Sequence, residues 1–97
     1  MRVIAQSTLR VFWEKHPAAE DTLRAWYEDI ERVTWKTPAV IRTAYPTASF
    51  LANNRVVFNI RGNHYRIIVH IHYNTQIVYI RFVGTHAEYD RIDAETI

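Results

Sequence analysis

The chain has 97 residues, about the length of one small domain with a single core. Hydrophobic residues make up 48% and charged residues 23%, a composition that excludes intrinsic disorder. The absence of cysteine excludes disulfides and thiolate chemistry. No apolar stretch approaches the roughly 20 residues that cross a bilayer, and the first residues lack the apolar region of a signal peptide. We therefore expect one cytoplasmic domain, residues 1–97, with no membrane partner.

The net charge of +2 hides an uneven distribution of charged residues. All ten acidic residues fall in two segments, Glu14–Glu31 and Glu88–Glu95. The acid-free middle carries basic residues and histidines: Arg32, Lys36, Arg42, Arg55, Arg61, Arg66, Arg81, His64, His70, His72 and His86. This pattern indicates a surface for phosphates or for an acidic partner, and the alternative is a solvated basic face.

The first third of the chain predicts a short strand and two helices. Met1–Ala5 alternates as a strand, and Ser7 or Thr8 is suited to cap a helix that ends at Lys15. Pro17 ends that helix and suits the first turn of the next. The second helix has an apolar stripe at three-to-four spacing, formed by Ala19, Leu23, Trp26, Tyr27, Ile30 and Val33. Both helices are expected to pack with their apolar sides against a flat layer of the structure.

Residues 34–54 predict an ordered connection with one short helical turn around Ala39–Arg42. Three strands with period-two alternation follow: Arg55–Ile60, His64–Tyr73 and Gln76–Val83. Gly62-Asn63 supplies positive-φ residues for a tight hairpin, and Asn74-Thr75 predicts a second two-residue turn. The sequence therefore predicts an antiparallel meander.

These turns fix a register, with Asn59 opposite Arg66, Ile68 opposite Arg81 and Arg66 opposite Val83. The face predicted to meet the helices carries Val56, Phe58, Ile60, Tyr65, Ile67, Val69, Ile71, Val78, Ile80 and Phe82. The other face, called the open face below, carries Arg55, Asn59, Arg61, His64, Arg66, His70, His72, Tyr79 and Arg81. Arg66 and Arg81 are predicted to be near neighbours there, as a pair for one phosphate or as two solvated arginines.

The segment after the third strand predicts a short helix, because Thr85 and Glu88 fit a capping box. His86, Tyr89 and Asp90 then share one side of that helix. An imidazole, a phenol and a carboxylate beside a basic sheet suit acid–base chemistry on a phosphodiester, although such clusters also serve as hydrogen-bonded helix caps.

The acid-free sheet argues against a magnesium-dependent nuclease, which holds its ions with carboxylates. His70 and His72 point the same way on a strand, but no third ligand follows at a suitable spacing. We expect no metal and no other cofactor.

Several segments together resemble the HigB family of toxins. They are Arg55–Arg66, Ile80-Arg81 and Thr85–Asp90, with Trp35–Pro38 and Tyr45-Pro46 upstream. The resemblance covers most of the chain, in order and at compatible spacing. It implies an α+β, RelE-like fold, in which an N-terminal strand and two helices pack on a curved antiparallel sheet and a short C-terminal helix follows.

The resemblance also implies an endoribonuclease that cuts mRNA in the A site of the 70S ribosome without a metal. Its implied partner is a HigA-type helix-turn-helix antitoxin, and DNA is met only through that antitoxin. Arg66 and Arg81 would stabilise the phosphorane. His86 would protonate the leaving 5′-oxygen or act as base, Tyr89 would position the nucleotide and Asp90 would orient His86. RNA backbone contacts are expected from Lys36, Arg55, Arg61 and His64.

Two other functions stay open from the sequence. A ParE-like relative shares the fold but poisons DNA gyrase, and it predicts no grouping of Arg, His and Tyr on the open face. A non-catalytic RNA-binding module is the third class. An adjacent reading frame with a helix-turn-helix pattern would favour a toxin over a lone RNA-binding module.

Overall fold

The computed structural model describes all 97 residues, which form a five-stranded sheet and four α-helices. In chain order the elements are β1 (Arg2–Ile4), α1 (Gln6–Lys15), α2 (Glu20–Arg32), α3 (Pro38–Ala44), β2 (Ser49–Leu51), β3 (Arg55–Ile60), β4 (Tyr65–His72), β5 (Ile77–Thr85) and α4 (His86–Tyr89). The strands lie in the order β1-β5-β4-β3-β2. β1 pairs in parallel with β5, and the other neighbours are antiparallel. The α+β, RelE-like class and the meander β3–β4–β5 are confirmed.

The two N-terminal helices pack on the sheet as their apolar stripes predict. In α2, Leu23 and Ile30 are fully buried and Trp26 is nearly so. A single 3-10 turn that begins at Pro17 leads into this helix. The predicted cap of α1 is wrong, because the helix already begins at Gln6 and has no side-chain cap. Ser7 and Thr8 therefore lie within its first turn.

The connection between α2 and β3 holds more structure than the sequence predicts. The expected helical turn is a helix of seven residues, α3, with Pro38 at its first position. The three-residue strand β2 was not predicted, and it extends the sheet beyond β3. Trp35 and Ile41 from this region are buried in the core. Tyr45 ties the region to α2, since its hydroxyl donates to Asp29 Oδ2 at 2.5 Å.

An aromatic cluster around Phe58 joins the sheet to the helices. The Phe58 ring lies 5.4 Å from the Trp26 ring, 6.1 Å from that of Trp35 and 5.1 Å from that of Tyr45. Such aromatic contacts add packing energy beyond the area that they bury. None of the helices combines the length and the apolar character that crossing a membrane requires.

The two hairpin turns keep the predicted register close to the turns themselves. Asn59 pairs with Arg66 as expected. Positive φ occurs at Arg61 (52°) and Gly62 (65°), so the expectation that Asn63 also takes positive φ is wrong. At the other turn, His72 pairs with Ile77, in the predicted register.

A β-bulge in β5 breaks the predicted register further along the strand. The shift lies between Ile68 and Val69, and Arg81 is the extra residue without a partner. Ile68 therefore pairs with Phe82 rather than with Arg81. Arg66 pairs with Gly84, so its predicted pairing with Val83 is wrong as well.

The bulge also changes which side chains face the helices. Phe82 pairs with Ile68, an open-face residue, and its predicted place in the core is wrong. Val83 packs against the core instead. The Phe82 ring lies over Gly84, where an added Cβ would be 2.4 Å from Phe82 Cζ. Val57 and Ile68 are also buried, to 2% and 0% exposure, although the alternation along β3 and β4 places both side chains on the open face.

Candidate active site

Helix α4 is fixed to the end of the sheet by its capping box. Glu88 N–H donates to Thr85 Oγ1 at 3.1 Å, and Thr85 N–H donates to Glu88 Oε1 at 2.8 Å, which confirms the predicted cap. The backbone hydrogen bond from Thr85 lowers the pKa of Glu88. The His86 N–H donates to the main-chain oxygen of His64 at 3.0 Å, so α4 is also tied to the β3–β4 turn.

His86 at the start of α4 and Asp90 just after its end form an imidazole–carboxylate pair. Nδ1 of His86 lies 3.3 Å from Oδ2 of Asp90, at the predicted i,i+4 spacing. Both side chains are about half exposed, at 49% and 62%. The carboxylate contacts Nδ1 of the imidazole, and Nε2 remains free to exchange a proton with a substrate.

Arg66 is the only charged residue among the buried side chains, with 9% exposure. Its guanidinium donates to the main-chain oxygens of Asn63 (3.3 Å) and Tyr65 (3.4 Å) and to Asn63 Oδ1 (3.2 Å). It also lies over the Tyr89 ring, 5.5 Å from its centre. None of the three ion pairs in the protein includes Arg66. A buried cation without a carboxylate is costly unless something else compensates its charge.

These four residues, Arg66, His86, Tyr89 and Asp90, are called the corner cluster below. Its direct contacts are the Arg66–Tyr89 and His86–Asp90 pairs, and both pairs lie where α4 meets the sheet. The cluster can offer one anion-binding guanidinium and one proton-transfer group.

Arg81 has different neighbours from Arg66. Its Nε donates to the main-chain oxygen of Ile97 at 3.5 Å, and Arg55 donates to that same oxygen. Arg55 pairs with His70 on β4. The structure thus brings Arg81 together with Arg55, and it records no contact common to Arg81 and Arg66.

The remaining candidates for RNA contact lie at the surface. Lys36 is exposed in the connection after α2. Arg61 and His64 are exposed in the β3–β4 turn, where Nδ1 of His64 lies 2.9 Å from the Arg61 main-chain oxygen. Of the lysines and arginines between residues 32 and 81, only Arg32 pairs with an acidic side chain, that of Asp29 at 3.9 Å. The acid-free middle therefore presents positive charge that few acidic side chains neutralise.

Sequence reasoning left three residues near Arg55 and Arg81 out of the candidate site. They are His70, His72 and Tyr79. Their predicted positions on the open face are the feature by which the sequence could have included them in the site. The His70 and His72 rings lie 4.7 Å apart, and the Tyr79 ring lies 5.0 Å from that of His72. Burial and the nearby charges of His72, Arg55 and Arg81 lower the pKa of His70. No group of three or more His, Cys, Asp or Glu side chains converges as a metal site would.

Comparison with known proteins gives the family of this chain. Residues 19–92 match the family described as HigB toxin, the RelE-like toxic component of a toxin-antitoxin system. The chain is 32% identical to the mRNA interferase toxin HigB of Escherichia coli over 92 residues, which cover 93% of this chain and 88% of the relative. The mRNA interferase HigB of Shigella flexneri gives the same identity and coverage. The mRNA interferase HigB of another Escherichia coli strain is 28% identical over 94 residues, 95% of this chain and 91% of that protein. The chain belongs to the HigB toxin family.

Proposed function

We propose that this protein is an mRNA endoribonuclease toxin that binds RNA on the open face and cuts it at the corner cluster. The relatives named mRNA interferase support the reaction class. The observation that carries the proposal is Arg66, a buried guanidinium with no carboxylate partner, next to the α4 helix that bears His86. A phosphodiester would supply the missing negative charge, and guanidinium groups match phosphate geometry.

In the proposed reaction the nucleophile that cleaves the RNA chain is its own 2′-oxygen and not water. The RNA 2′-oxygen attacks the adjacent phosphorus and forms the O2′–P bond, while the P–O5′ bond breaks. The products are a 2′,3′-cyclic phosphate and a 5′-hydroxyl. The 2′-OH proton passes to solvent, and protonated His86 donates a proton to the leaving O5′. Each such proton transfer contributes roughly 10²- to 10⁴-fold to the rate.

The other members of the corner cluster support that step. Arg66 stabilises the charge that builds on the phosphorane oxygens, an effect worth about 10²–10³-fold for one donor. Asp90 orients the His86 ring through its contact with Nδ1. Tyr89 holds the Arg66 guanidinium from its ring face and positions the nucleotide. We propose that Arg81 binds the same RNA strand together with Arg55.

The wider proposal concerns the partners. The substrate is mRNA in the A site of the 70S ribosome in the cytoplasm, and the reaction uses no metal. Lys36, Arg61 and His64 contact the RNA backbone. A HigA-type helix-turn-helix antitoxin holds the toxin inactive, and DNA is met only through that antitoxin.

The test is to add the purified protein to ribosomes that are translating a defined message and to map the mRNA ends by primer extension. New ends inside A-site codons, absent when the antitoxin is added, are the expected result. The same message without ribosomes tests whether the ribosome is required. Intact message together with blocked DNA supercoiling by gyrase would replace this proposal with the ParE-like function.

A further inference from the structure

A polar cavity of about 330 Å³ opens at the β4–β5 turn, away from the corner cluster. It is lined by seven residues, none of them acidic: Asn54, His70, Ile71, His72, Tyr73, Asn74 and Thr75. Amide, hydroxyl and imidazole groups offer both donors and acceptors of hydrogen bonds. Such a lining suits a neutral, flat, polar group rather than a cation or an aliphatic chain.

Two arginines stand beside this cavity and already share one oxygen acceptor. Arg55 follows Asn54 in the chain and pairs with His70, and both of these neighbours line the cavity. Arg55 and Arg81 both donate to the Ile97 main-chain oxygen. Neither arginine pairs with an Asp or Glu side chain, and Arg55 Nε is buried without an acceptor. An anionic oxygen at this position would satisfy both guanidiniums, and a second oxygen of the same anion could accept from Arg55 Nε.

The rings at the edge of the cavity suit stacking. His72 is exposed, and its ring meets the Tyr79 ring at 70° and 5.0 Å. Single-stranded RNA is bound largely by stacking of its bases on aromatic and imidazole rings, together with hydrogen bonds to their edges. The combination of a ring platform, an amide-lined cavity and a guanidinium pair corresponds to the base and the phosphate of one nucleotide.

We propose that the Arg55–Arg81 pair and the adjoining cavity form a nucleotide-binding subsite for single-stranded RNA. The phosphate displaces the Ile97 oxygen from the two arginines, the base enters the cavity, and His72 stacks on it. This inference rests on the proposed function for the nature of the substrate. Arg66 and His72 are six residues apart on β4, about 20 Å at the strand rise, so the subsite binds a nucleotide other than the one that is cut.

The test measures binding separately from cleavage. Fluorescently labelled 2′-O-methyl hexanucleotides of A, C, G and U cannot be cleaved by 2′-OH attack and serve as probes. Anisotropy titrations compare the full-length protein with the variants His72→Ala and Asn74→Ala. We expect tighter binding of one or two bases by the wild type, about tenfold or more weaker binding in His72→Ala, and a flattened base preference in Asn74→Ala. The matched control is His16→Ala. His16 lies on the α1 side of the protein, where its ring stacks on Phe12, and this variant should bind the hexanucleotides like the wild type.

A second readout separates this subsite from the reaction. On programmed ribosomes, His72→Ala should raise KM, change the set of codons that are cut and leave kcat within about threefold. If both variants cleave the same codons as the wild type and bind the hexanucleotides equally well, the subsite is overturned. The proposed function is not affected by that result. Hexamer binding that depends on His72, without any cleavage by the wild type, supports the subsite and rejects the proposed function. No binding of any hexamer overturns the subsite, and equal binding of 2′-deoxy hexamers rejects its specificity for RNA.

Discussion

Arg66 and Tyr89 form the central contact of the corner cluster, with the guanidinium carbon 5.5 Å from the centre of the phenol ring. The contact joins strand β4 to helix α4, which follows β5 directly in the chain. The ring face partly offsets a buried positive charge that no carboxylate neutralises. The charge of Arg66 is therefore a cost to the stability of the fold and, in the proposed reaction, a benefit to RNA cleavage.

Replacement of Arg66 by methionine should therefore affect stability and cleavage differently. Since an apolar side chain of similar length removes a desolvated charge, the free energy of unfolding should stay within about 1 kcal/mol of the wild type or rise. Cleavage on the ribosome should fall by about 100-fold or more. Urea unfolding and primer extension measure the two quantities. The control is Arg24→Met on the exposed side of α2. Arg24 pairs with Glu20 and has no part in the proposed reaction, so its replacement should leave cleavage unchanged. Full cleavage by the Arg66 variant would remove this residue from the mechanism.

The His86–Asp90 pair predicts graded losses of activity. His86→Ala should lower the single-turnover cleavage rate by about 10²- to 10⁴-fold, since it removes the proton donor. Asp90→Asn should cost less, because His86 keeps its proton-transfer atom and loses only the carboxylate that orients its ring. Both variants should bind the antitoxin as the wild type does, which a pull-down measures. A wild-type cleavage rate in Asp90→Asn would show that Asp90 does not position His86.

Gly84 should resist any side chain, for a steric reason. An alanine Cβ would lie 2.4 Å from Phe82 Cζ, so the ring must leave its position. Overpacking of this kind typically costs about 1–3 kcal/mol. Chemical denaturation of Gly84→Ala, Phe82→Leu and the double variant forms a mutant cycle. We expect the double variant to be more stable than the sum of the single effects, and strict additivity would contradict the proposed clash.

His70 predicts a pH dependence of stability below neutrality. Its pKa in the folded protein lies below the ordinary value of 6.5, because of burial and the neighbouring charges of His72, Arg55 and Arg81. Between the two pKa values the unfolded chain binds more protons, so stability increases with pH in that range and falls as the solution is acidified below about 6.5. The melting temperature of His70→Gln should therefore fall less than that of the wild type between pH 7 and pH 5. Parallel curves for the two proteins would contradict the lowered pKa.

Most of the fold follows from periodicities that the sequence displays openly. The stripe of α2, the alternation of β3 and β4 and the Thr85–Glu88 cap each have a local signature, and each was predicted correctly. Strand β2 was missed because three residues are too few to show alternation. The burial of Val57 and Ile68 on the open face also could not be predicted, because alternation alone does not reveal what covers a face.

The site was predicted less completely, and the bulge is the main reason. Residues 80–82 contain no glycine or proline that would mark an irregularity, so the alternation was extended straight through them. That extension placed Arg81 opposite Ile68 and next to Arg66, whereas the structure brings Arg81 to Arg55. The residues of α4 lie beyond the bulge, and their relative positions depend only on helical spacing. His86 and Asp90 were therefore predicted as a pair and found as one.

The unpaired residue of β5 makes the length of this strand as important as its composition. Up to Arg81 the odd-numbered residues point away from the helices, and after it the even-numbered ones do. Loss of Arg81 itself would remove the bulge and leave Phe82 opposite Ile68, whereas loss of a residue elsewhere in β5 would turn the side chains between the gap and the bulge to the opposite face. A deletion of one residue of β5 outside the bulge should thus be far more harmful than most substitutions, even where the lost side chain itself is exposed.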